Sequence, residues 1–229
     1  MGTKKKNSNY VTEKTMQKKK EKELERLEQK RRRTLKLVSI YTLCVLLLVG
    51  AFLLIGAAFG MFDYYPEATA HASVVIEYKG EEYTVHMELY GEDAPQSVAQ
   101  FKKLVEAGYY DGKVMYQFAD GLLYCGGQTT PGYGSVAGEF SENGIENKIS
   151  HKRGVISMTR GEDCDSADGR FFIVTQKRTD LDGSYAAFGS IIDGGMGVIE
   201  KICDDLLVDE NGYVTNVPII TSISIHDAH

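Results

Sequence analysis

MYQFADGLLYCGGQ (Met115–Gln128) decides how the chain is read, because three further pieces follow it in order: HKRGVISM (His151–Met158), GRFFIVT (Gly169–Thr175) and LDGSYAAFG (Leu181–Gly189). Short apolar runs in and around these pieces predict strands at Lys113–Phe118, Leu122–Cys125, Gly154–Met158, Phe171–Thr175 and Ala187–Ile191. Gly126-Gly127 serves tight backbone geometry rather than a phosphate, since no GxGxxG or P-loop pattern is present. Upstream, Ser73–Tyr78 and Glu82–Tyr90 read as strands joined at Lys79-Gly80, a hairpin signal. Tyr83, Val85, Met87 and Leu89 alternate with polar residues, so one face of the second strand is buried.

Ala94-Pro95 opens a helix that runs to about Ala107, with Pro in its first turn and Gly108 at its end. Val98, Phe101, Leu104 and Val105 form its apolar face. A second helix is predicted near Gly197–Cys203, and Pro218–Ile225 reads as a closing strand. The stretch Thr129–Ser150 is long, polar and glycine-rich, which predicts a functional or mobile loop. Several short strands with two helices suit a mainly β architecture, a closed antiparallel barrel capped at its ends, because closure removes exposed strand edges.

The N-terminal part of the chain has a different composition. Residues 1–38 carry 14 Lys+Arg against 5 Glu, a net of +9, whereas residues 39–229 carry 12 Lys+Arg against 27 Asp+Glu, a net of −15. Leu37 to Phe62 is a run of 26 residues without a charge. About 20 apolar residues span the hydrocarbon core of a bilayer, so residues 37–62 predict a single transmembrane helix. The basic residues Lys30–Arg33 and Lys36 then lie on the cytoplasmic side, and the acidic domain lies outside the cell. A signal peptide is the competing reading. Ala68-Thr69-Ala70 suits a cleavage site, but the apolar run is far longer than the ~7–15 residues of a signal core. Gly56-x-x-x-Gly60 has the spacing of a helix-packing motif, although small residues are common in membrane helices.

The expected organisation is thus a cytoplasmic basic tail (1–36), a transmembrane helix (37–62), a linker (63–71) and a folded domain (72–229). The tail has helix formers but only Met16, Leu24 and Leu27 as apolar residues from Thr12 to Arg33, which predicts a solvated helix near anionic headgroups. No nucleic-acid binding is expected of it, because aromatic residues are not interleaved with the charges. Cys44 lies in the span, and Cys125, Cys164 and Cys203 are an odd set without metal-ligand spacing, read as buried or free thiols.

In order and spacing, the four pieces resemble the cyclophilins, the prolyl cis–trans isomerases built on a closed antiparallel barrel. The resemblance covers about two thirds of the chain, from Ala72 to Ile225. It implies proline-containing polypeptides as ligands, with no cofactor and no metal. It places Leu122, Leu123, Phe172, Leu181 and Tyr185 around the proline ring, with Phe172 as the floor. Tyr116, Cys125, Thr159 and Arg160 fall on neighbouring groove positions.

The main departure from the family is Gln117, which occupies the position of the family's catalytic arginine in F-H-R-x-x-P-G-F-M. Its amide still donates, but without charge, and a charge-assisted bond is roughly twice as strong as a neutral one. Arg170 falls where the family's G-S-Q-F-F-I string carries Gln. Two expectations follow for it. Either its guanidinium crosses the groove and replaces the one absent at Gln117, or it pairs with an acid such as Glu162 or Asp168. Asp163, Asp165, Ser166 and Asp168 match the family's D-P-N-S-A-G-S-Q loop and read as turn residues rather than a calcium site.

Overall fold

The computed structural model describes residues 3–58, 64, 66–128 and 132–227, in two compact units, Met1–Asp63 and Tyr64–His229. The first unit is one helix, α1 (Thr3–Ala58). The tail and the apolar segment, separate regions by composition, share this unbroken helix. Gly60 of the packing motif and residues 59–62 of the apolar run lie outside the described residues. Within Lys18–Ile55 an 18-residue window has a mean hydropathy of 2.7, and Leu46, Leu48 and Leu54 are exposed along it. Soluble proteins rarely leave such a surface bare. By length and composition this helix can cross a membrane, as an anchor or as a signal sequence.

The second unit is mainly β. Its elements are β1 (Ala70–Tyr78), β2 (Glu81–Leu89), α2 (Pro95–Glu106), β3 (Lys113–Val114), β4 (Gln117–Ala119), β5 (Leu122–Cys125), β6 (Val155–Met158), β7 (Phe171–Val174), β8 (Ala187–Ile192), α3 (Gly195–Asp204) and β9 (Ile219–Asp227). The β1–β2 hairpin turns at Lys79 (φ 54°) and Gly80 (φ 81°), so both central residues are left-handed. That turn matches the twist of the strands it joins. Alternation places Val74 and Ile76 of β1, and Val85, Met87 and Leu89 of β2, in the core.

The nine strands are ordered β3-β9-β1-β2-β8-β6-β7-β5-β4, every pair antiparallel. β3 and β4 stand at opposite ends of this order yet are consecutive in the chain. The sheet therefore curls until its ends meet along Lys113–Ala119. There the Met115 N–H donates to the Pro218 carbonyl at 2.9 Å, and the Tyr116 N–H donates to the Tyr124 carbonyl at 3.0 Å. The single strand expected at Lys113–Phe118 is split in two because its partner changes from β9 to β5.

Helices α2 and α3 cover the core. Val98, Phe101 and Leu104 of α2 are buried, and the Phe101 ring meets Tyr110 at 5.2 Å, Phe188 at 5.4 Å and Phe171 at 5.7 Å. The α2 N-cap is Ala94, which has no side-chain acceptor. Glu139 supplies one from the long loop, its carboxylate accepting from the Gln96 N–H (2.8 Å), the Ser97 N–H (2.9 Å) and the Ser97 hydroxyl (2.7 Å). A negative charge at a helix N-terminus meets both the free N–H groups and the positive end of the helix dipole. This part of the loop is therefore a structural cap. Gly169, with φ 110°, brings β7 against α2, since a Cβ there would lie 2.0 Å from Leu104 Cδ1. Only glycine fits that approach.

Candidate functional site

The pairing register lays one row of side chains across the curled sheet. Gln117 of β4 lies opposite Tyr124 of β5, Tyr124 lies opposite Phe172 of β7, and Phe172 lies opposite Ser157 of β6. Directly opposed residues share a sheet face, so these four lie on the same one. Phe172 is its centre, with ring centroids 5.8 Å from Tyr124, 5.6 Å from Tyr185 in an edge contact, and 6.1 Å from the stacked ring of His151. Leu122, Leu181 and Tyr185 join Phe172 and Tyr124 in a hydrophobic cluster separate from the main core.

The same period of two divides the expected binding set. Leu122 faces the Phe172 cluster, whereas Leu123 and Cys125 point into the main core, each with 0% exposure. The expectation that these two line the groove is not met, because neighbouring residues of a strand face opposite ways. Tyr124, between them, takes the groove face. Burial holds the Cys125 thiol well above its ordinary value, which leaves it inert.

His151 fastens the far side of the cluster. It is buried, its Nδ1 lies 2.8 Å from Asp182 Oδ1, and its Nε2 lies 3.1 Å from the Ser157 hydroxyl. The His151 backbone N–H also donates to Asp182 Oδ1 at 2.7 Å. In the neutral ring, Nδ1–H donates to the carboxylate and Nε2 accepts from Ser157. Burial lowers the His151 pKa below its ordinary value, outweighing Asp182, which acts to raise it. The unfolded chain takes up a proton near pH ~6.5, before the folded protein does. Stability from the neutral ring is complete above that pH and is lost as pH falls toward the lower folded value. Urea midpoints should therefore fall between pH 7 and pH 5, and His151→Asn should flatten that dependence. An equal slope in the variant would remove His151 as its source.

Two arginines bound the row. The Arg160 guanidinium lies over Tyr185 at 5.1 Å and over Phe140 at 5.2 Å, and its Nε–H donates to the Ser184 carbonyl at 2.8 Å. Arg170 takes the second of its two expected placements. Its Nε and Nη2 fork onto the Asp168 carboxylate at 3.0 and 2.8 Å, and Asp168 is 3% exposed. Thr159 secures the Arg170 backbone, its N–H and hydroxyl donating to the Arg170 carbonyl at 2.8 and 3.1 Å. The Gln117 amide donates elsewhere, to the Asn211 carbonyl at 3.1 Å.

Tyr116 is nearly buried, with its ring 6.1 Å from Tyr124. Burial pushes its hydroxyl up to about 12, with Arg170 acting the other way. Asp163 and Ser166 make turn contacts: the Asp165 N–H donates to Asp163 Oδ1 at 2.9 Å, and the Gly161 N–H donates to the Ser166 hydroxyl at 2.8 Å. Sequence reasoning missed Tyr124, Glu139 and Asn211. None of the three left a readable local signal: Leu122–Cys125 is apolar throughout, and Glu139 and Asn211 act on partners distant in the chain.

A sheet of nine antiparallel strands curled on itself, with two helices over its core and an aromatic face bounded by arginines, defines a mainly β protein of the curled-barrel class. The sequence model of "Cyclophilin type peptidyl-prolyl cis-trans isomerase/CLD" matches residues 73–225. A peptidyl-prolyl cis-trans isomerase of Acinetobacter baylyi is 30% identical over 158 residues, spanning 66% of this chain and 82% of that protein. One of Helicobacter pylori is 31% identical over 136 residues, spanning 58% and 80%. A cyclophilin-type isomerase of Cryptosporidium parvum, solved in the presence of the dipeptide Ala-Pro, shares the fold with a TM-score of 0.57 at 21% identity, covering 69% of this chain and 99% of that one. This chain belongs to the cyclophilin-type peptidyl-prolyl cis–trans isomerase family.

Proposed function

We propose that the chain is a membrane-tethered prolyl isomerase that acts on X–Pro bonds of secreted or envelope polypeptides and assists their folding. The observation that carries this reading is the Phe172-centred cluster of Leu122, Leu181 and Tyr185, beside a row of hydrogen-bonding side chains. That the Cryptosporidium parvum protein was solved in the presence of Ala-Pro supports a proline-bearing ligand here as well.

Rotation about an X–Pro bond meets a barrier of ~18–20 kcal/mol, set by amide resonance. Catalysis needs no covalent step, only stronger binding of the twisted bond than of either planar form. Leu122, Phe172, Leu181 and Tyr185 hold the ring, Tyr116 and Arg160 flank it, and Thr159 fixes the strand edge beside Arg170. Leu123 and Cys125 support the floor from the core. A neutral amide at Gln117 in place of a guanidinium lowers turnover about ten- to a hundredfold, for ~1.4–3 kcal/mol of lost transition-state stabilisation. Residues 37–62 anchor the enzyme, with the basic tail in the cytoplasm and the catalytic domain outside.

A second reading, a tethered module that grips proline peptides without isomerising them, is favoured by one observation. The Gln117 amide and the Arg170 guanidinium are both already engaged, with Asn211 and Asp168. Exchange NMR on an Ala-Pro peptide, with the full chain in detergent micelles, separates the two. Faster cis–trans exchange is the expected result. Line broadening without faster exchange would leave only the binding module.

A further inference from the structure

We propose that the Tyr124 hydroxyl is the donor that meets the prolyl nitrogen as the peptide bond twists. The proposal rests on the isomerase reading and names a catalytic residue for it. As planarity is lost, the nitrogen lone pair localises and accepts a hydrogen bond. No bond to carbon forms or breaks, and the phenol proton stays on its oxygen.

Tyr124 lies directly between Gln117 and Phe172 in the cross-strand row, opposite one on β4 and the other on β7. Its ring packs on Phe172 at 5.8 Å, so the side chain that carries the hydroxyl is part of the wall beside the apolar floor.

The Gln117 amide donates to Asn211, the Arg170 guanidinium forks onto Asp168, and the Arg160 Nε–H donates to Ser184. Among the described residues the Tyr124 hydroxyl has no hydrogen-bond partner, although its ring is half-buried. It is also a donor at neutral pH, since burial raises its pKa above the ordinary phenol value. Tyr116 and Tyr185 also have hydroxyls without a partner among the described residues, but they are placed differently. Tyr116 reaches the floor only through Tyr124, and Tyr185 presents an edge to Phe172 under the Arg160 guanidinium.

The experiment compares the full chain in micelles with Tyr124→Phe and Tyr185→Phe. It measures the enzyme-bound exchange rate of an Ala-Pro peptide and, separately, the peptide Kd. Tyr124→Phe keeps the ring and removes a hydroxyl without a partner, so the fold is retained. The expected result is a bound exchange rate about tenfold lower in Tyr124→Phe, the size of one neutral hydrogen bond, with Kd within about twofold. Wild-type rate in Tyr124→Phe, or loss confined to Tyr185→Phe, overturns the proposal and leaves the isomerase standing. A wild-type chain that binds peptide without speeding its exchange overturns both.

Discussion

Phe172→Ala should lower the stability of the folded domain by about 3–4 kcal/mol, because it removes a large ring that its neighbours cover almost completely. The ring is 1% exposed and is held by Tyr124, Tyr185 and His151 on three sides. Its backbone is paired to β5 and β6, so the surroundings cannot collapse far into the cavity. Domains commonly have only about 5–15 kcal/mol in hand, so urea unfolding should show a midpoint well below that of the parent. Activity needs a gentler change. Phe172→Leu keeps most of the apolar volume but removes the ring contacts with Tyr124, Tyr185 and His151, each worth about 0.5–1.5 kcal/mol. It should stay folded while kcat/KM drops more than tenfold, because both the floor and the support for Tyr124 change shape. Parent-like efficiency in the Leu variant, beside an unstable Ala variant, would make Phe172 a core residue and place the substrate elsewhere.

The dependence on one ring shows what the sequence made legible and what it did not. The strand that carries Phe172, the β1–β2 hairpin and helix α2 all follow from local patterns: an apolar run, a Lys-Gly turn, and Pro95 ahead of apolar residues at helical spacing; Phe172 as a floor is implied only by the family resemblance. Facing is harder. Whether Leu123 or Tyr124 looks into the groove depends on the register of β5 against β7, which no single strand states. Partners distant in sequence were equally hidden. Glu139 caps α2 because Ala94 cannot, and Asn211 takes the Gln117 amide because the loop before β9 folds over β4. The tail and the apolar segment differ in composition yet share one helix, since backbone hydrogen bonding within a helix ignores the change from charged to apolar side chains.

Arg170→Ala should cost about 2–4 kcal/mol of stability. Removing the guanidinium leaves the Asp168 carboxylate buried, with the Arg170 backbone N–H at 3.1 Å as its remaining donor from that residue. Breaking a buried pair from one side costs ~3–5 kcal/mol. The lower range applies here because the Arg170 side chain is 24% exposed and water can reach the vacated position. Neutralising both partners, as in Asp168→Asn with Arg170→Met, should recover most of the loss, since neither buried charge is then stranded. This pair of variants also decides which group drives isomerisation. If the guanidinium is committed to Asp168, the folded double variant loses less than tenfold in kcat/KM and Tyr124→Phe loses more. If the folded double variant instead loses a hundredfold or more, Arg170 must leave Asp168 when substrate binds. The charge absent at Gln117 would then come from across the groove, and Tyr124 would be a platform for the proline rather than its donor.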